Sequence, residues 1–165
     1  MRFRELILGL AAVLLAVLPH PALASKLPAE TVVLTVDGAI DGDAPRDFTI
    51  ADLEALGLVE LRTTTPWHDN EMLFEGVPMA RLMEAVGARG DTVVGAALNN
   101  YLIDIPIADF ETFGVLLAFK ANGEYMGVRD KGPLFVIYPF DRFPDIRNEL
   151  YYSRSIWQLR RLTVK

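Results

Sequence analysis

The chain has 165 residues, 52% of them apolar, with 16 Lys and Arg against 22 Asp and Glu for a net charge of −6. It contains no cysteine, which removes disulfides, thiolate metal ligands, iron–sulfur clusters and cysteine nucleophiles. An acidic balance without a compact run of Lys and Arg argues against a general nucleic-acid or anionic-lipid surface.

The chain opens with Arg2 and Arg4, then an apolar run from Leu6 to Leu18 that is short for a membrane span, then the small-x-small pattern Ala22-Leu23-Ala24. This reads as an export signal over residues 1–24, cut after Ala24, followed by one domain over residues 25–165. An uncleaved anchor is the alternative. Cleavage removes Arg2, Arg4, Glu5 and His20, leaving 141 residues at a net charge of −7 with His68 as their single histidine. The expected location is periplasmic, without stable membrane insertion once the signal is gone.

Thr31 to Asp37 alternates weakly and reads as a strand that turns at Asp37-Gly38. Gly42 to Arg46 reads as loop. Thr49 suits the N-cap of a short helix over Ala51 to Leu56, with Asp52 in the capping-box position and Gly57 as the stop. Val59 to Thr65 is a β-branched strand, and Met72 to Phe74 a brief one turning at Glu75-Gly76. Pro78 suits a first helical position, and Met79, Leu82, Met83 and Val86 follow at helical spacing before Gly87.

Asp91 to Leu98 and Tyr101 to Ile105 read as strands joined by Asn99-Asn100, a pair that tolerates positive φ. Ile107 to Phe113 suits one or two helical turns, Val115 to Lys120 a strand, and Asn122-Gly123 a hairpin turn. Leu134 to Tyr138 is a buried-strand pattern, Asp141 to Ser155 is long and irregular, and Ile156 to Val164 closes as a strand. Many short strands with two small helices predict a β-rich α+β domain.

Three segments concentrate side chains able to hold a ligand. Arg129-Asp130-Lys131-Gly132-Pro133 runs three charges into a Gly-Pro before a buried strand. Thr63-Thr64-Thr65-Pro66-Trp67-His68 sets hydroxyls and a tryptophan at a strand end. Asn148 to Trp157 mixes aromatics, hydroxyls and an arginine in an irregular stretch whose aromatic content argues against disorder. Each has a plainer reading. The charged triplet also suits a solvated loop with a local ion pair, Trp67 a cover over its strand end, Asn99 its own turn, Arg154 a pairing with Glu149, and Trp157 a core position. His68 has no second histidine for a catalytic pair.

The order of these motifs resembles a known family. TTTPW after a strand is followed by Phe74-Glu75-Gly76-Val77-Pro78, Ala97-Leu98-Asn99-Asn100-Tyr101, Ile105-Pro106, Arg129 to Pro133, Tyr138-Pro139 and Ser155-Ile156-Trp157-Gln158-Leu159. Jointly, over residues 31–164, they resemble the molybdopterin-binding domain of the sulfite oxidase superfamily in its small exported form. The resemblance implies mixed sheets with a few short helices. It also implies that full enzymes of the superfamily carry, just after the strand corresponding to Val59–Thr65, a cysteine whose thiolate binds molybdenum. Here that place holds Thr63-Thr64-Thr65-Pro66, and a hydroxyl is a poor substitute for a soft thiolate. Molybdenum is therefore not expected.

What the resemblance implies instead is an exported pterin-binding protein without enzymatic activity that reports to the periplasmic domain of a membrane regulator of cyclic-di-GMP. A molybdopterin-dependent oxidoreductase and an interaction domain with a vestigial site are the alternatives. A carboxylate can accept from the adjacent 2-amino and N3–H groups of a pterin, a role suited to Asp130. Asn99 offers both donor and acceptor, and Trp67 and Tyr151 or Tyr152 offer faces to stack on the ring. Arg129, Lys131 and Arg154 suit the O4 edge or an anionic tail. Thr65, Tyr101 and Ser155 complete the candidate set with their hydroxyls.

Overall fold

Two five-stranded sheets organise residues 30–42 and 44–165, the part of the chain that the computed structural model describes. The export signal expected over residues 1–24 lies outside the described residues. In chain order the strands are β1 Val32–Gly38, β2 Arg46–Thr49, β3 Val59–Thr63, β4 Met72–Pro78, β5 Thr92–Ala97, β6 Leu102–Pro106, β7 Leu116–Ala121, β8 Glu124–Tyr125, β9 Phe135–Ile137 and β10 Leu159–Val164. The helices are α1 Ile50–Ala55, α2 Met79–Val86 and α3 Glu149–Arg154. The expected α+β class, strand-rich with mixed sheets and few short helices, is the one found.

The first sheet has the order β2-β1-β10-β5-β6, with β1 parallel to β10 and every other pair antiparallel. The second is antiparallel, β3-β4-β7-β8, with β9 also paired to β7. The main core lies between them. Leu34, Val36 and Leu162 from one sheet join Val77, Leu117, Phe119 and Val136 from the other, all at most 1% exposed.

The second sheet also buries its outer face. Along β7, Leu117 and Phe119 belong to the main core while Leu116 and Ala118 join Phe74, Phe135 and Ile137 in a second apolar cluster. This is the period-two alternation of a strand covered on both sides, which reads in sequence as one apolar run. Trp67 and Trp157 pack on that outer cluster. Residues 134–159 also stitch the sheets together: Val136 N–H donates to the Ile156 carbonyl, Leu159 N–H donates to that of Leu134, and Phe135 bridges Trp157.

Several local expectations hold. Thr49 and Asp52 form both halves of a capping box on α1, and Gly87 ends α2 at φ 62°. Others are corrected. The segment at Glu75-Gly76 is not a turn: β4 continues through it to Pro78 with a register shift opposite β7. Gly76 permits this, because a Cβ there would stand 2.0 Å from the Leu117 carbonyl oxygen. Pro78 is the N-cap of α2, at extended ψ, and not its first helical residue. The loop expected to end at Arg46 gives way to the edge strand β2, anchored by buried Phe48. The stretch 141–155 is not wholly irregular, since it contains α3 with Asn148 as its cap. The last strand begins at Leu159 rather than Ile156. Among the described residues no helix is long and apolar enough to cross a membrane.

Candidate functional site

A cavity of about 320 Å3 lies beside Trp67. Trp67, from the loop after β3, forms one wall. The turn joining β5 to β6 supplies Ala97, Asn99 and Tyr101, α3 supplies Glu149, Tyr152 and Ser153, and the run into β10 supplies Ser155, Ile156 and Trp157. Its volume falls within the roughly 300–1,000 Å3 of small-molecule sites. A second depression beside Asp37, Ile40 and Thr163 carries no aromatic side chain on which a flat ring could stack.

Trp67 is the hub of the aromatic wall. Its ring centroid is 5.4 Å from that of Trp157, 5.6 Å from Phe135 and 6.0 Å from Tyr152, with edge-to-face or tilted geometry in each case. The hydroxyls of the TTT triplet hold this corner. Thr65 Oγ1 lies 2.7 Å from His68 Nδ1 and accepts the Trp67 N–H at 3.3 Å, which folds the loop back on its own strand. Thr64 donates through its N–H and Oγ1 to the two Asp141 carboxylate oxygens, each at 2.6 Å, and Thr63 Oγ1 accepts the Asp141 N–H. Arg147 pairs with Asp141 and donates to Thr64 Oγ1. Partial burial pushes the Asp141 carboxyl up, but the Thr64 hydrogen bonds and the Arg147 charge outweigh it and hold the group below its ordinary range. Burial, then the charge of Lys131, keeps the His68 ring below the usual histidine range against the opposing pull of Asp69.

α3 is fastened from beneath. Arg154 Nη1 donates to Asp109 Oδ2 at 2.8 Å, and the Tyr138 hydroxyl donates to the same oxygen at 2.7 Å. Arg154 also lies 5.2 Å over the Tyr151 ring, and its Nε is buried without a partner. Burial, reinforced by the bond to Asp109, raises the Tyr138 phenol far above the ordinary tyrosine range, so it remains a donor. On the cavity side, the Tyr101 hydroxyl donates to the Ser153 carbonyl at 3.2 Å, tying the hairpin turn to α3. Asn99 Oδ1 accepts the Tyr101 N–H at 3.0 Å, and Asn100 takes the positive φ of the turn at 64°.

Of the ten candidate residues, the structure brings five to the cavity: Trp67, Asn99, Tyr101, Tyr152 and Ser155. The other five are elsewhere. Thr65 serves its own corner, and Arg154 is the buried partner of Asp109, not of Glu149. Arg129, Asp130 and Lys131 lie in or next to a single 3-10 turn, Val128–Asp130, and none lines the cavity. That turn is fastened to the residue after Trp157, with Gln158 N–H donating to the Lys131 carbonyl and Gln158 Nε2 to that of Val128. The close approach expected at Gly132 is present, since a Cβ there would stand 2.1 Å from the Met126 carbonyl oxygen.

Five lining residues lie outside the candidate set: Ala97, Glu149, Ser153, Ile156 and Trp157. Trp157 packs on the outer apolar cluster, as its strand pattern suggests, and also lines the cavity. Glu149 lay in a stretch read as irregular, although Asn148 just before it is a favourable N-cap whose side chain accepts the Leu150 N–H.

Among solved structures, the chain matches the crystal structure of the sulfane dehydrogenase SoxCD from Paracoccus pantotrophus with a TM-score of 0.62 and 20% identity, over 86% of this chain. The two share a fold. The match takes in 40% of the longer dehydrogenase chain, so this protein corresponds to less than half of it. No protein-family model and no curated protein matches the sequence.

Proposed function

We propose that the protein binds a flat, polar heteroaromatic ring of the pterin type in the cavity beside Trp67. The observation that carries this reading is the joint presence of Trp67, Tyr152 and Trp157 around a cavity of about 320 Å3 that also holds Asn99, Glu149 and two serines. Aromatic walls with a few polar groups suit a planar ligand with hydrogen-bonding edges. The chain has no cysteine, so its residues do not fit the thiolate-bound molybdenum centre of full enzymes with the resembling domain. In this reading the protein is an exported ligand sensor, not an enzyme. Its occupied form is read by the periplasmic domain of a membrane signalling protein, with cyclic-di-GMP as the controlled output.

Mass spectrometry of small molecules released from protein purified from its native compartment tests the reading. A pterin at near-equal ratio to protein is expected, and calorimetry with that pterin is expected to give micromolar or tighter binding. Release of no aromatic ligand, together with no heat from any pterin, would overturn it.

A second reading, an oxidoreductase built on molybdopterin, is favoured by the shared fold with a dehydrogenase. Metal analysis of the same preparation separates the two, because stoichiometric molybdenum supports the enzyme.

A further inference from the structure

A pterin differs from other flat bicyclic rings in one edge, where a 2-amino group and N3–H stand side by side as donors. Asp130 and Glu149 are both exposed, but Asp130, on its 3-10 turn, does not line the cavity. The cavity contains one carboxylate, Glu149, and no Lys, Arg or His. Glu149 is the first residue of α3, and Tyr152 and Ser153 follow it by three and four positions. Helical geometry sets side chains at that spacing on one face, and all three line the cavity.

Glu149 is also uncommitted. It enters none of the ion pairs and accepts none of the side-chain hydrogen bonds found among the described residues. From the β5–β6 turn, Asn99 uses its oxygen on Tyr101 N–H, and its amide nitrogen has no partner among the described residues. The lining thus offers an acceptor pair from α3 and a donor from the β5–β6 turn, with no cationic side chain among the lining residues.

We infer that Glu149 is the specificity-determining carboxylate of this cavity, selecting a ring edge with two adjacent N–H donors over the same ring with a carbonyl at position 2. The inference rests on the pterin reading of the same site. A carboxylate can accept both hydrogens of the donor–donor edge in a charge-assisted pair. A 2-oxo ring places an acceptor opposite one carboxylate oxygen and so forfeits one of the two charge-assisted bonds.

The test compares 6,7-dimethylpterin with 6,7-dimethyllumazine, its 2-oxo counterpart, each in oxidised and dihydro form, by calorimetry on the full chain. The wild type is expected to prefer the pterin by roughly ten- to a hundredfold. Glu149→Gln is expected to bring the two affinities within about threefold, since the amide replaces one acceptor by a donor, while Glu149→Asp keeps part of the preference. Circular dichroism and the melting temperature establish that each variant is folded. Equal affinities in the wild type, or an unchanged preference in Glu149→Gln, overturn the inference and leave the flat-ring site standing. Loss of the preference in Asp130→Asn but not in Glu149→Gln returns the role to Asp130 and also overturns it. If neither ring binds in any form, the pterin reading itself is overturned, and the inference with it.

Discussion

Arg154 and Tyr138 converge on one oxygen, Asp109 Oδ2, at 2.8 and 2.7 Å, and through it the floor of α3 is fixed to the π-helical turn Phe110–Gly114 and to the end of β9. The Arg154 and Asp109 side chains are only 15% and 12% exposed, so each charge depends on the other. Asp109→Ala is expected to lower stability by about 3–5 kcal/mol, because it strands a buried guanidinium. Tyr138→Phe, which removes one hydrogen bond and keeps the ring, is expected to lose about 1 kcal/mol. Denaturant unfolding of both variants checks the order. Equal losses would mean that the ion pair adds nothing beyond the Tyr138–Asp109 hydrogen bond.

Gly132 is expected to resist even the smallest side chain. Its neighbour is a backbone carbonyl, Met126 O, 2.1 Å from where a Cβ would sit, and backbone cannot swing aside as a flexible side chain can. Gly132→Ala is expected to cost about 1–3 kcal/mol through overpacking, read as a shift in the denaturant midpoint. Gly123→Ala is a useful comparison, because a Cβ there meets nothing within 4 Å and only its φ of 86° opposes the change.

Stability is expected to fall with acid in two separate windows. His68 has a depressed pKa in the fold, so the folded state binds fewer protons than the unfolded chain. Its contribution is complete above the unfolded value of about 6.5 and is lost as pH falls from there through the folded value. Asp141 is also held low, so its contribution is present above about pH 3.9 and is lost as pH falls through its own folded value. Unfolding free energies from pH 8 to pH 3 should therefore show a decline beginning near pH 6.5 that disappears in His68→Gln. A second decline, at lower pH, should disappear in Asp141→Asn.

Trp67→Ala is expected to weaken ligand binding by about tenfold, a loss typical of one aromatic contact. It is also expected to lower stability, since Trp67 packs on both apolar clusters. Tyr152→Ala separates the effects, because Tyr152 lines the cavity but packs only on the main core. Tryptophan fluorescence should change on ligand addition in the wild type and change less in Trp67→Ala.

Much of the fold was legible in the sequence because its signals are local. Thr49 with Asp52, the helical spacing from Met79 to Val86 and the Asn122-Gly123 turn each specify their element within a few residues. What escaped depends on partners distant in the chain. Glu75-Gly76 resembles a turn until β7 is seen opposite it, and β2 forms because β1 offers it an edge. The site divides the same way. Trp67, Asn99, Tyr101, Tyr152 and Ser155 announce themselves by residue type, and they do meet. Arg154 has equally suggestive chemistry, but Asp109, 45 positions away, claims its charge. Nothing near Asp130 in the sequence indicates that its turn is fastened to Gln158 outside the cavity lining. Glu149 was obscured by a six-residue helix too short to show a periodic pattern.

Ile156 and Trp157 belong at once to the cavity lining and to the stitch joining the sheets. On the proposed reading, a molecule bound against them favours the joined sheets over the parted ones by its binding free energy. Occupancy then registers as resistance to melting: ligand at a hundred times its dissociation constant adds about 2.7 kcal/mol to whatever the empty chain possesses. Heat resistance in crude extracts would report whether the compartment is rich or poor in that molecule.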